Sequence, residues 1–264
     1  MRNPDLIILT DDVYGTFAEE FQTVYSVLPH NTILVYSFSK LYGVTGWRVD
    51  LIAMNKENVC DRLLRALPQE DKAFLDEEYS IVISDPEELP FLDRIVADSR
   101  SIGLYHTSGL STPSQVFMDM MALTHLVCQG EDSYIRLANE VVKERYDALM
   151  EALGLPRDDD ASNARYYTLV NVQALAQERY GEAFARWLVE SRTEVEFLSE
   201  LAERKGVVFM YGPGFSAPEG TVRISLANLD RDAYTEIARR LFELLDEYAE
   251  EFEEETGMED AKAA

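Results

Sequence analysis

The chain has 264 residues, 47% of them hydrophobic, and 49 acidic against 24 basic side chains give it a formal net charge of -25. That length accommodates one large domain or two small ones with a real core, and the acidic excess excludes nucleic acid, whose phosphates it would repel, as a partner. No apolar run approaches the ~20 residues that cross a bilayer, and Met1-Arg2-Asn3-Pro4-Asp5 carries no secretory pattern, so no membrane association is expected.

In chain order, the apolar run Leu6 to Leu9 reads as a buried strand ending in the polar cluster Asp11-Asp12. Phe17 to Val27 reads as helical or irregular. Thr32 to Ser37 and Val49 to Met54 are two further strands. Strands separated by a crossover predict a parallel or mixed α/β sheet, in which ligands gather at the carboxyl ends of the strands. Asn55 to Leu67 reads as a helix, Pro68 to Pro90 as an acidic excursion with short helical turns, and Leu92 to Ile102 as another helix. The loop His106 to Pro113 then leads into a helix through Val127, with Pro113 suited to its first turn.

A second region begins near Gly130. Tyr134, Leu137, Ala138, Val141, Val142, Tyr146, Leu149 and Leu153 form one helical stripe, stopped by Gly154 and Pro156. A β-rich segment at Tyr166 to Val172 follows, then helices around Phe184–Val189 and Val195–Arg204. Two strands, Val207 to Tyr211 and Thr221 to Ala227, flank a Gly212-Pro213-Gly214 loop. Asp230 is placed to cap a final amphipathic helix. The expected division is a domain over residues 1–130 and a small α+β domain over 131–264, whose acidic Asp246 to Asp260 stretch is a solvated helix end and tail. Cys60 and Cys128 are expected as reduced, buried thiols of a cytoplasmic protein. With His30, His106 and His125 they assemble no zinc site, so no metal is expected.

The chemistry centres on Lys40, in Tyr36-Ser37-Phe38-Ser39-Lys40, with Arg48 eight residues on and Asp11-x-x-Tyr14 upstream. A carboxylate, a phenol, a lysine and an arginine at strand ends are the parts that hold pyridoxal 5'-phosphate (PLP). Lys40 is the Schiff-base lysine in this reading. Asp11 keeps the ring nitrogen protonated, and Tyr14 bonds the ring oxygen. The Ser37 hydroxyl and the forked Arg48 guanidinium take the phosphate ester. Arg223, charged within the apolar run Val222 to Ala227, needs a carboxylate partner. Two partners stand open: an internal Asp or Glu, or the α-carboxylate of a substrate.

These motifs resemble the aspartate aminotransferase family of fold-type I PLP enzymes. More narrowly they resemble its aspartate 4-decarboxylases, the bifunctional aspartate aminotransferases and L-aspartate β-decarboxylases. The narrower likeness rests on Asp12-Val13-Tyr14-Gly15-Thr16-Phe17, on Tyr36 to Lys40 with Thr45-Gly46-Trp47-Arg48, and on Val96-Ala97-Asp98-Ser99-Arg100. His106 to Pro113 and Arg223-Ile224-Ser225-Leu226-Ala227-Asn228-Leu229 complete it. It implies part of a fold-type I large domain, with a mixed, mostly parallel sheet, followed by a small α+β C-terminal domain. It implies conversion of L-aspartate to L-alanine and CO2, with Lys40 moving the α-proton and Arg223 holding the α-carboxylate. Aspartate transamination with a 2-oxo acid is the implied side activity. The family also implies a homodimer or higher homo-oligomer, in which a loop like Thr107 to Thr112 reaches a partner's cofactor phosphate.

Members of that family are longer at the N-terminus, so this chain is expected to be a C-terminal portion lacking the N-terminal half. Asp50, two residues from Arg48, is expected to weaken anion binding there. The alternatives are a plain aspartate aminotransferase and a catalytically inactive fragment.

Overall fold

The computed structural model describes residues 3–81, 83–101, 111–128 and 133–263, with side chains in the last helix described to residue 257. The chain divides into two compact units, Met1–Ile135 and Arg136–Ala264.

The first unit is built on three strands, β1 (Ile8–Asp11), β2 (Thr32–Ser37) and β3 (Asp50–Met54), in the order β1-β2-β3. β1 runs parallel to β2, with Asp11 level with Val35, and β3 runs antiparallel, with Asp50 level with Ser37. β-Branched and aliphatic residues fill all three, as a pleated surface favours. The crossover from β1 to β2 holds only a 3-10 turn (Gly15–Phe17) and a four-residue helix, α1 (Val24–Val27), capped by Thr23, whose hydroxyl accepts from the Tyr25 N–H at 3.1 Å. Alternation along the strands puts Leu9, Asp11, Val35 and Ile52 on one face of the sheet. That face is open: Leu9 is 70% exposed and Ile52 41%.

After β2 comes α2 (Phe38–Leu41), and after β3 come α3 (Val59–Arg65), α4 (Gln69–Tyr79), α5 (Phe91–Ser101) and α6 (Thr112–Val127). The excursion expected over Pro68 to Pro90 is therefore mainly the eleven-residue α4. Charges ring it, and Tyr79 alone in it is buried, which hides its period in the sequence. Arg94 fastens the segment. It is 7% exposed, donates from Nε to Leu89 O at 3.0 Å and from Nη2 to Pro86 O at 2.7 Å, and lies 4.8 Å over the Tyr79 ring. The Tyr79 hydroxyl donates to Asp98 at 2.8 Å; burial and this acid push its pKa up to about 12. Both cysteines are free, as expected, but Cys128 is exposed and only Cys60 is buried. Cys128 follows the last turn of α6, where Leu126 and Val127 are exposed as well, so burial of that thiol is corrected.

The second unit contains β4 (Tyr167–Asn171), β5 (Met210–Tyr211) and β6 (Thr221–Ser225) in the order β4-β6-β5, antiparallel throughout. Helix α7 (Ser133–Leu153) leads into it, α8 (Val172–Tyr180), α9 (Glu182–Ser191) and α10 (Glu194–Lys205) lie between β4 and β5, and α11 (Arg231–Ala263) ends it. One face of the sheet is core, with Val170 at 1%, Val222 at 4% and Ile224 at 3% exposure. α11 presents Tyr234, Ala238, Leu241, Leu245 and Tyr248 at helical spacing, all buried to 1% exposure or less. α10 starts with a reciprocal capping box. The Thr193 hydroxyl accepts from the Glu196 N–H at 3.2 Å, and the Glu196 carboxylate accepts from the Thr193 N–H at 2.8 Å. No helix among the described residues is long and apolar enough to cross a membrane.

Candidate active site

Ser37 closes β2 and opens α2: its hydroxyl accepts from the Ser39 N–H at 3.2 Å, the N-cap bond that turns strand into helix. The Phe38 N–H donates to Val49 O at 3.0 Å and ties the start of α2 to the residue before β3. Lys40 is the third residue of this helix and half-buried. Its amine has no hydrogen bond or ion pair with any described residue. Ser39 beside it is 1% exposed and its hydroxyl has no partner among the described residues.

Asp11 ends β1 on the same edge of the sheet. It is exposed, and its Oδ1 accepts from the Val13 N–H at 3.1 Å, an Asx turn that bends the chain away from the strand. Asp12 is the buried member of the pair, at 7% exposure. Its Oδ1 accepts from the Thr10 hydroxyl at 2.6 Å, and its Oδ2 is buried without a partner among the described residues. Tyr14 is half-buried at the head of the 3-10 turn, where its carbonyl accepts from the Phe17 N–H at 3.0 Å. The neighbouring Tyr36 hydroxyl meets the Thr16 hydroxyl at 3.4 Å, and burial pushes the Tyr36 pKa up.

Arg48 sits in the left-handed region, φ 55°, at the end of the short turn Thr45–Trp47. Its side chain is 69% exposed and bends toward Asp50, Nη2 to Oδ2 at 3.4 Å. Asp50 is level with Ser37 across the sheet. Strand register thus brings Asp11, Ser37, Lys40 and the Arg48–Asp50 pair to one edge. Of the loop expected to reach a partner's phosphate, Thr107 to Thr112, residues 107–110 lie outside the described residues, while Ser111 stands at the N-cap of α6 and Thr112 begins it.

Arg223, in the second unit, is central in β6, level with Leu169 on β4 and Met210 on β5. It alternates with Val222 and Ile224 and so lies on the face opposite the core, where Leu169 is 52% and Met210 50% exposed. No hydrogen bond or ion pair joins its guanidinium to any described residue. Of the two partners the sequence leaves open, an internal acid is therefore not found among the described residues. The neighbours are rings: Cζ lies 3.6 Å from the Tyr167 centroid and 3.9 Å from that of Phe215. Neither ring is singled out by reading the sequence. The available signal was register, since Tyr167 is two residues from the one that faces Arg223.

Residues 1–69 match the family model described as aminotransferase class I and II. The chain is 44% identical over 251 residues to a bifunctional aspartate aminotransferase and L-aspartate beta-decarboxylase from Pseudomonas sp, covering 95% of this chain and 47% of that protein. It is 24% identical to an asparagine–oxo-acid transaminase from Streptococcus mutans, covering 84% of this chain and 45% of that one. Among solved structures it is similar to aspartate aminotransferase from Thermus thermophilus with maleate, at TM-score 0.56 and 21% identity over 89% of this chain and 47% of that one. A PLP-dependent aminotransferase from Streptococcus suis gives TM-score 0.57 and 17% identity over 92% and 49%. The chain spans about half the length of the curated relatives it matches.

The fold is, in part, that of a fold-type I aminotransferase. More narrowly, the chain is a homologue of the bifunctional aspartate aminotransferases and L-aspartate β-decarboxylases.

Proposed function

We propose that this chain serves PLP-dependent conversion of L-aspartate, losing the β-carboxylate as CO2 to leave L-alanine, with aspartate transamination to a 2-oxo acid as a side activity. The observation that carries the reading is the Lys40 amine, unengaged by any described residue, on a helix capped by Ser37 at the sheet edge shared with Asp11. The donor set fits the cofactor: an amine without a described partner, an acid at the neighbouring strand end, and a hydroxyl and guanidinium for a phosphate ester. When bound, PLP supplies the electron sink for a substrate carbanion.

This chain's residues do the rest in that reading. Lys40 would anchor the cofactor, and its amine would take and return the α-proton. Asp11 holds a proton at the ring nitrogen, exchanging its Asx-turn contact for that role. Tyr14 donates to the ring oxygen. Ser37 and Arg48 grip the phosphate. Arg223 receives the α-carboxylate in its open fork. Residues 1–130 are then the cofactor-binding part and 131–264 the small domain. The resemblance extends to a homodimer or higher assembly, and the two free thiols suit a reducing cytoplasm.

A second reading, an association module without catalysis, is favoured by one observation: Arg48 already faces Asp50, a carboxylate competing with any phosphate. One experiment separates the two. PLP is added to the full chain, and the visible imine band, trapped by borohydride, is mapped to a peptide. The proposal expects a band on Lys40, lost in Lys40→Ala, and then CO2 and alanine from aspartate alone. Oxaloacetate formation that requires a 2-oxo acid, without CO2, would leave a plain aminotransferase. No band, with Lys40→Ala behaving identically, would sink the catalytic reading.

A further inference from the structure

The Arg223 guanidinium presents an unusual combination. It lies mid-strand and half-buried, it has no acceptor among the described residues, and two aromatic rings stand over its Cζ within 4 Å. Rings engage the faces of a guanidinium through the π-cloud, whereas its five N–H donors all lie in the plane. Stacking therefore fixes the plane and leaves every in-plane donor unspent. An acid partner would do the opposite, using the fork up.

The two rings arrive from the flanking segments of the sheet. Tyr167 comes from β4, diagonal to Arg223 across the ladder. Phe215 comes from the 3-10 turn Gly212–Phe215 that follows β5. That turn can fold back against β6 because residue 212 is glycine: a Cβ there would lie 2.2 Å from the Thr221 carbonyl oxygen. The chain after the turn resumes through Ser216, in the left-handed region at φ 61°. A glycine demanded by backbone contact thus delivers the ring.

We propose that Tyr167 and Phe215 are positioning residues, a two-ring clamp that pre-orients the Arg223 fork for in-plane, bidentate capture of a carboxylate. This deepens the proposed function and rests on its reading of Arg223 as the holder of the substrate carboxylate. Neither ring touches the reacting atoms; both act through the arginine. Holding the fork before the ligand arrives reduces the ordering cost of capture, so losing a ring appears as weaker carboxylate affinity.

The test uses the full chain without cofactor, succinate as the probe, and NMR of the arginine Nε–Hε and Nη–Hη groups, with Arg223→Gln to identify the signals. The stack alone predicts slowed rotation about the Arg223 Nε–Cζ bond in the wild type, and saturable movement of its Nε–Hε signal by succinate. Phe215→Leu and Tyr167→Leu, which keep apolar bulk but remove the ring, are each expected to speed that rotation and weaken succinate binding about fivefold. Phe215→Tyr and Tyr167→Phe, which keep it, stay within about twofold. Unchanged backbone amide signals of Val222 and Ile224, on the opposite face, show that the sheet is intact. If a leucine variant does not fold, rotation in the wild type decides, and free rotation there overturns the proposal. If succinate moves the Arg223 signal and the leucine variants bind as tightly as wild type, the clamp is refuted and the carboxylate reading stands. If succinate leaves the wild-type signal unmoved, the carboxylate reading itself fails and the clamp with it.

Discussion

The two units differ in what they bury. Among the described residues, the second encloses Tyr234, Tyr248, Phe184, Leu149, Leu201, Leu226, Leu241, Leu244, Leu245 and Val170 to below 2% exposure. The most enclosed side chains of the first are polar, Thr32 and Ser39, while Leu9, Ile52, Phe74, Met120 and Leu123 stand open. Burial of apolar surface is the main favourable term in folding. The second unit therefore holds itself together, and its Arg223 is carried on a firm sheet. The first carries most of the candidate chemistry on a sheet with one open face. Sequence motifs and a self-sufficient core are separate properties, and here they are distributed unequally.

Four substitutions break or sharpen that contrast. Leu241→Ala, in the closed core, should cost about 2–5 kcal/mol in urea unfolding, whereas Leu9→Ala on the open face should change stability by less than about 0.5 kcal/mol; equal losses would abolish the contrast. Arg94→Leu removes the bonds to the Leu89 and Pro86 carbonyls and the contact with the Tyr79 ring, and should cost the first unit about 2 kcal/mol. Hydrogen exchange should locate that loss between residues 86 and 101 and leave α11 protected. Asp50→Asn frees Arg48 from an exposed pair. Inorganic phosphate, followed by phosphorus NMR, should bind about two- to fivefold more tightly, with no change in unfolding.

The smallest effect belongs to Glu236, whose bonds to Arg239 and then Arg240 hold its pKa down to about 2 from an ordinary 4.5. A carboxyl depressed in the folded state stabilises above its unfolded pKa and loses that contribution as pH falls through the folded value. Glu236→Gln should therefore lower the melting temperature slightly at pH 6. The difference from wild type should shrink between pH 4.5 and 2 and be absent below that.

Much of this was legible in the sequence where a single physical signal dominated. Thr32 to Ser37 is a run of strand-formers bounded by polar residues, and the structure has its strand there. Gly154 and Gly206, both at positive φ, end α7 and α10 where the glycines stand. What stayed hidden needed contacts at a distance or lacked a boundary signal. α8 begins on the residue after β4, with Asn171 ending the strand and capping the helix, its Oδ1 accepting from the Ala174 N–H at 2.8 Å. No glycine or proline separates the two, so Val172 reads as more strand. The expected strand over Val207 to Tyr211 is paired only at Met210–Tyr211; Val207 and Phe209 are buried and Val208 is 81% exposed, an extended alternation without a ladder. Of the site, residue types and spacing gave Asp11, Tyr14, Ser37, Lys40, Arg48 and Arg223 as candidates. The rings beside Arg223 follow only from knowing which strand lies next to which.

The strand that launches Lys40 is the middle one of three, with one neighbour running its way and the other against it. A slip of β2 by one residue would invert its side chains and spoil two ladders at once, and no shared shift of the neighbours along their own chain directions could repair both. The lysine's placement is thereby checked twice during folding, once from each side.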